Sequence, residues 1–241
     1  MAGVPLCLKL DTGTGMFKDK SSQRVITQYE HLKLSGALAL LWGNSEFERP
    51  PCSFESFVKG VALHDRGYGS FDTLAIGEAS EGEWLAVSRR SFFGDTNDPI
   101  ADLITKHHIL RLVSGSKNSN PQVFAFLTEM REDIARCLRD NGLDERLFSF
   151  VDRITQLCDD ISFDFCFGNY GMSKVDVQGR FSEEELIAIQ YTIQPDSTIV
   201  LSPWPLSVSS YTSYLIGYDL NEFPEKREPQ IVPFTIKAVG D

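Results

Sequence analysis

Basic residues are in deficit: 23 Lys and Arg stand against 34 Asp and Glu, a formal net charge of −11. A field of that sign disfavours DNA, RNA or an anionic membrane as the main partner. A small phosphate ester remains admissible, because a metal ion and a few local Arg or Lys can reverse the field inside a pocket. No run reaches the roughly 18 apolar residues that span a bilayer, and no basic segment followed by an apolar one opens the sequence, so neither a membrane span nor a signal peptide is expected. The five cysteines (Cys7, Cys52, Cys137, Cys158 and Cys166) include no CxxC pair. Reduced thiols in a cytoplasmic protein are the expectation, with Cys158 and Cys166 buried in one helix. Internal repeats and low-complexity linkers are missing too, so the 241 residues read as a single domain, 1–241, long enough to bury a sizeable core.

Histidine is also scarce: His31, His64, His107 and His108 are all there are. Their places in the expected elements therefore carry weight. Residues 4–10 read as a strand, Asp11-Thr12-Gly13-Thr14-Gly15 as a turn and Arg24-Val25-Ile26 as the returning strand. No Gly-Lys-Ser/Thr follows the turn, so it is a plain hairpin and not a phosphate-binding loop. Thr27-Gln28-Tyr29-Glu30 has the form of a capping box and starts a helix that runs to about Trp42, stopped by Gly43-Asn44. His31 lies on its apolar face with Leu34 and Leu38. Pro50-Pro51 breaks the chain, and Ser53 caps a second helix, Phe54 to about Asp65. His64 and Asp65 end it, about 100° apart, so both can reach one point beside the helix end.

Gly67 and Gly69 read as loop, and residues 71–97 as irregular, with Gly77, Gly82, Gly94 and the basic pair Arg89-Arg90. Asp98-Pro99 opens a helix to about Val113 carrying Lys106, His107, His108 and Arg111. Adjacent histidines point in different directions, so one of the pair faces inward. After the polar loop Ser114–Asn120, a helix runs from Pro121 to Asn141-Gly142. Another runs from the Asp144 cap to about Phe167, with Leu147, Val151, Ile154, Cys158, Ile161 and Phe165 as its apolar stripe and Asp159 at the stripe's edge. Beyond Gly168, residues 189–193, 197–201, 211–218 and 231–236 read as strands, with Ser202-Pro203-Trp204-Pro205 as a rigid extended turn. The expected fold is mainly α: a helical bundle over 27–167, with a small antiparallel sheet formed by the N-terminal hairpin (1–26) and the C-terminal strands (175–241).

The inward polar residues of the helices are His31, His64, Asp65, one of His107 and His108, and Asp159. Imidazole and carboxylate are the usual ligands of Mn, Zn, Fe or Ni. Coming from separate helices, they would have their geometry fixed by the bundle itself. A carboxylate at a helix C-terminus is electrostatically unfavourable, so Asp65 wants a cation nearby.

His31, the doublet His64-Asp65 and the late Asp159 resemble, in order and helical placement, the HD-domain superfamily of metal-dependent phosphohydrolases. The stretches Ile26-Thr27-Gln28-x-x-His31, Leu63-His64-Asp65-x-Gly67, His108-x-x-x-Leu112 and Gln156-Leu157-Cys158-Asp159, followed by Pro203-Trp204-Pro205, are similar to an uncharacterised bacterial branch of it. The resemblance covers roughly residues 27–167. It implies an HD-like core and a divalent transition metal held by His31, His64, Asp65 and Asp159, with His108, favoured over His107 by its spacing to Leu112, as a further ligand, a general acid or a phosphate contact. Arg66 and Lys106 would offset charge on a small anionic substrate, a phosphate ester or nucleotide. Dinuclear members place two further histidines on separate helices. Here only His107-His108 is available, which implies one metal, or two with an unusual ligand set. The alternatives are a di-iron HD-type oxygenase and a non-catalytic HD-fold binding protein.

Overall fold

The computed structural model describes residues 17–68, 75–76, 78–116 and 120–240. Two short strands, β1 (Phe17–Asp19) and β2 (Arg24–Ile26), lead into six helices: α1 (Gln28–Leu41), α2 (Phe54–Ala62), α3 (Glu81–Phe93), α4 (Pro99–Gly115), α5 (Pro121–Asn141) and α6 (Glu145–Phe167). Five strands follow: β3 (Gly171–Gln178), β4 (Leu186–Ile193), β5 (Thr198–Ser202), β6 (Ser210–Asp219) and β7 (Gln230–Ala238). The helix ends are set by local chemistry. Ser53, Asp98, Asn120 and Asp144 each accept a backbone N–H of the first turn of α2, α4, α5 and α6, and α5 and α6 stop at left-handed Gly142 and Gly168.

The fold is mixed α/β and not a mainly α bundle with a small sheet. All seven strands form one curled sheet in the order β1-β2-β6-β7-β5-β4-β3, and it is not wholly antiparallel, since β5 runs parallel to β7. The sheet is larger than expected because β3, with Val175 and Val177 inward between exposed Lys174 and Asp176, is a full partner of β4. Its charged outer face blurs the apolar signal without breaking the alternation. The expected union of an N-terminal hairpin with the C-terminal strands is seen in the pairing of β2 with β6. The hairpin partner of β2, however, is Phe17–Asp19. The expected strand at 4–10, its turn at 11–15 and Cys7 lie outside the described residues.

Three further expectations are corrected. Residues 81–93, read as irregular, form α3, started by a complete capping box between Ser80 and Glu83. Its glycines, Gly82 and Gly94, sit in the first turn and at the C-cap, where they do not interrupt the helix. Conversely, the box expected at Thr27 is not made: the Thr27 side chain caps nothing. Glu30 is buried and accepts instead from the backbone N–H of Ile216 on β6, at 2.9 Å. Finally, α2 ends at Ala62, three residues before Asp65.

One hydrophobic cluster runs through helices and sheet together. The stripe expected on α6, Leu147 to Phe165, is buried throughout, each such side chain contributing about 1.5–3 kcal/mol. Inward residues of the strands, among them Ile189, Tyr191, Ile199, Leu201, Leu215, Phe234 and Ile236, complete it. Two glycines let α2 approach its neighbours closely: a Cβ on Gly36 would lie 2.8 Å from that of Ala62, and one on Gly60 2.7 Å from Ile104 Cβ. This closeness brings α1, α2 and α4 together around the polar cluster described next. No helix among the described residues is long and apolar enough to cross a membrane.

Candidate metal centre

The cluster begins at the end of α2. The chain leaves the helix through a tight turn, with His64 N–H bonded to Val61 O and Arg66 N–H to Leu63 O, before a 3-10 turn at Arg66–Tyr68. This turn, more than helix phase, aims His64 and Asp65 inward. The carbonyl of Val61 also accepts from His64 Nδ1 at 2.7 Å, which puts a ring hydrogen on Nδ1 and turns Nε2 toward the cluster. The Thr105 hydroxyl of α4 lies 3.3 Å from Ala101 O in its own helix and 3.5 Å from Leu63 O of the turn.

Helices α1 and α6 are tied by two reciprocal serines. Ser162 donates to the carbonyl of His31 at 2.8 Å and Ser35 to that of Cys158 at 3.3 Å. The bonds fall at His31 and beside Asp159. His31 Nε2 lies 3.1 Å from His64 Nε2 and 3.4 Å from Asp159 Oδ1, and His64 Nε2 lies 3.3 Å from the same oxygen. Asp65 Oδ1 is 3.3 Å from His108 Nε2, and its Oδ2 accepts from Gln28 Nε2 at 3.0 Å. Two triads, His31/His64/Asp65 and His64/His108/Asp159, bring their donor atoms within 4.8 Å of one another and can hold a metal ion.

The electrostatics are those of two buried carboxylates facing three rings. Burial opposes a charge on His64, but the hydrogen bond and charge of Asp159, and then the charge of Asp65, outweigh it and push its pKa up to about 9. Burial likewise opposes ionisation of Asp159 and Asp65. Hydrogen bonds from His31 and His64 hold Asp159 well below the usual carboxylate range, and that from His108 holds Asp65 below it. His108 is shifted down, by burial and by the charge of His64. Asp160 is pushed up to about 7 by burial and by Asp159 beside it. The Tyr68 hydroxyl is pushed up by burial and by both cluster carboxylates.

The structure thus brings together His31, His64, Asp65, His108 and Asp159. Arg66 and Lys106 are held elsewhere. Arg66 pairs with Asp102 and donates to the carbonyls of Ser91 and Gly94, joining α3 to α4. Lys106 pairs with Asp133 of α5, over the ring of Phe92. His107 faces away and stacks on Phe148. Two residues in direct contact with the cluster were not singled out for it by sequence. Gln28 sits one turn before His31, a placement that signals a shared helix face. Arg111, three residues after His108, donates to His108 Nδ1 at 2.9 Å and to Asp152 at 3.0 Å. Nothing in its sequence context separates it from a surface charge.

No curated protein and no solved structure matches the chain. One family model does, over residues 16–81 and 94–222, and its description is "Protein of unknown function (DUF3891)". With most of its length matched, the chain belongs to the DUF3891 family.

Proposed function

We propose that His31, His64, Asp65 and Asp159 hold one divalent transition-metal ion, and that the protein is a metal-dependent hydrolase of a small phosphate ester or nucleotide, as its likeness to HD-domain phosphohydrolases implies. The observation that carries this reading is the convergence of those four residues from α1, the turn after α2, and α6.

The donors fit such an ion. They are imidazole and carboxylate, the set preferred by Mn, Zn, Fe and Ni. His64 is oriented by its bond to a backbone carbonyl, a common support for a ligating histidine. Gln28 Oε1, on the amide that donates to Asp65, is buried with no partner, so the polar groups at the cluster are not all satisfied by the protein alone. Both triads share His64, whose one inward lone pair can serve a single ion, and this supports a mononuclear centre over a di-iron one.

A divalent ion in this place supplies an acidified water as nucleophile and positive charge for the phosphoryl oxygens. The protein supplies position and access. His64 and His108 are fully buried, whereas the side chains of Asp65 and Asp159 are 12% and 11% exposed. An incoming group therefore meets the carboxylate edge first. With Arg66 and Lys106 engaged by Asp102 and Asp133, the charge facing an anionic substrate would come mainly from the ion. The free thiols Cys52, Cys137, Cys158 and Cys166 support the cytoplasmic setting expected from the sequence.

The test is elemental analysis of protein purified without added metal, followed by hydrolysis assays with Mn and Zn on a chromogenic phosphate ester and on nucleotides. One ion per chain is expected, with metal and hydrolysis both lost in the His64→Ala, Asp65→Ala double variant. Retention of both by that variant would sink the reading.

A further inference from the structure

His108 is in the cluster, and the sequence offers it as a ligand. The direction of its hydrogen bonds says otherwise. A guanidinium has five N–H donors and no lone pair. Arg111 Nη2 lies 2.9 Å from His108 Nδ1, so that nitrogen accepts. Arg111 cannot readily turn away, because its Nε is held by Asp152 of α6 at 3.0 Å. A neutral imidazole has one ring hydrogen, and with Nδ1 accepting it must be on Nε2. That N–H points at Asp65 Oδ1, 3.3 Å away. Neither nitrogen then has a lone pair for an ion: one carries hydrogen and the other is occupied by Arg111. Asp159 Oδ2, at 3.9 Å from Nδ1, is beyond hydrogen-bonding range.

His64 is the opposite case. Val61 O, at 2.7 Å, holds a hydrogen on its Nδ1, so the ring hydrogen that gives way to an ion is the one on Nε2, which faces Asp159 Oδ1 at 3.3 Å. The two rings, with centroids 4.5 Å apart, are thus set in opposite tautomers by the groups behind them. Asp65, in turn, receives one donor on each oxygen, His108 on Oδ1 and Gln28 on Oδ2. Each oxygen keeps a second lone pair, and the carboxylate plane is fixed.

We propose that His108 is a positioning residue and not a ligand: Arg111 locks it as an Nε2–H donor, and with Gln28 it clamps Asp65 in the orientation that binds the ion. This rests on the reading of His31, His64, Asp65 and Asp159 as a metal site and assigns the remaining histidine within it.

The experiment is X-ray absorption on the Zn-loaded full chain, together with Zn titration of the wild type, His108→Gln and His108→Leu. Scattering from two imidazoles is expected in the wild type and in His108→Gln, whose amide nitrogen can stand in for Nε2–H. His108→Leu should still take one Zn per chain, bound about 10–100-fold more weakly, as for loss of a group that hydrogen-bonds a ligand. His108→Gln should recover most of that loss. Three imidazoles in the wild type, falling to two in His108→Gln, would overturn the inference and leave the metal site standing. Equal Zn affinity in His108→Leu and wild type would overturn it as well. Failure of the wild type to take up Zn would remove the metal site and this inference together. Should His108→Leu not fold, the wild-type imidazole count and the His108→Gln titration still decide.

Discussion

Helix α4 takes part in two kinds of buried polar arrangement. In one, every charge has its opposite. Asp102 faces Arg66 and also accepts from Thr96, and Lys106 faces Asp133. In the other, around His108, two carboxylates face three rings and an amide, and a buried oxygen of that amide, Gln28 Oε1, has no partner. A buried charge is costly unless paired, so the first arrangement is complete as folded, whereas in the second the carboxylates are met by an imidazole, His64, whose proton an ion can replace. This is what separates a structural ion pair from a binding site. It also explains why Arg66 and Lys106 do not reach the cluster, for they are the cations of the closed pairs.

The closed pairs give the largest expected effect. Asp133→Ala strands the Lys106 ammonium, 10% exposed, and should destabilise the protein by about 3–5 kcal/mol, read by urea unfolding. Its metal content should match the wild type. From the open side, Asp159→Asn keeps the shape and deletes one carboxylate charge of the cluster. Zn affinity should fall by more than about 100-fold, the upper range for disturbing a ligand's partner, while the metal-free melting temperature drops less than in Asp133→Ala, because only the pairing with His64 is lost. If Asp159→Asn unfolds the chain and Asp133→Ala spares it, the roles of the two arrangements are reversed. Third, Zn at about 100 times its dissociation constant should stabilise the fold by about 2.7 kcal/mol. A chelator should reverse the gain in the wild type and in Asp133→Ala, and Asp159→Asn should show none at the same Zn concentration.

The same contrast explains what the sequence could and could not tell. Four of the cluster residues were legible because each sits on an element with strong start signals or a clear stripe: His31 after Thr27, Asp159 on the long apolar face of α6, and the doublet after the Ser53 cap. The pairing of Arg66 and Lys106 was not legible, because a cation beside a predicted site looks the same whether it faces the site or a distant carboxylate. Asp102 and Asp133 carry no pattern that names their partners. The sheet was underestimated for a related reason. Strand β3 shows charge on its outer face, and β5 reaches its parallel neighbour β7 only through a chain excursion that includes β6, a non-local pairing with no local signature. Helix α3 was hidden by glycines that turn out to sit at its ends, although the Ser80-x-x-Glu83 signal was there to be read.

Two neighbours in sequence, His107 and His108, differ in the same way. His108 is hydrogen-bonded on both ring nitrogens, whereas His107 stacks on Phe148 and has a buried Nε2 with no partner. Burial shifts the His107 pKa down, and its nitrogen brings the desolvation cost of a polar atom without a bond to offset it. His107→Phe retains the flat ring against Phe148 and deletes that atom. The expected result is unchanged metal content and a stability equal to the wild type or higher by about 1 kcal/mol, measured by chemical denaturation. A loss of metal in His107→Phe equal to that in Asp159→Asn would mean that α4 turns its other face to the cluster when an ion is present, and the distinction between the two histidines would fall with it.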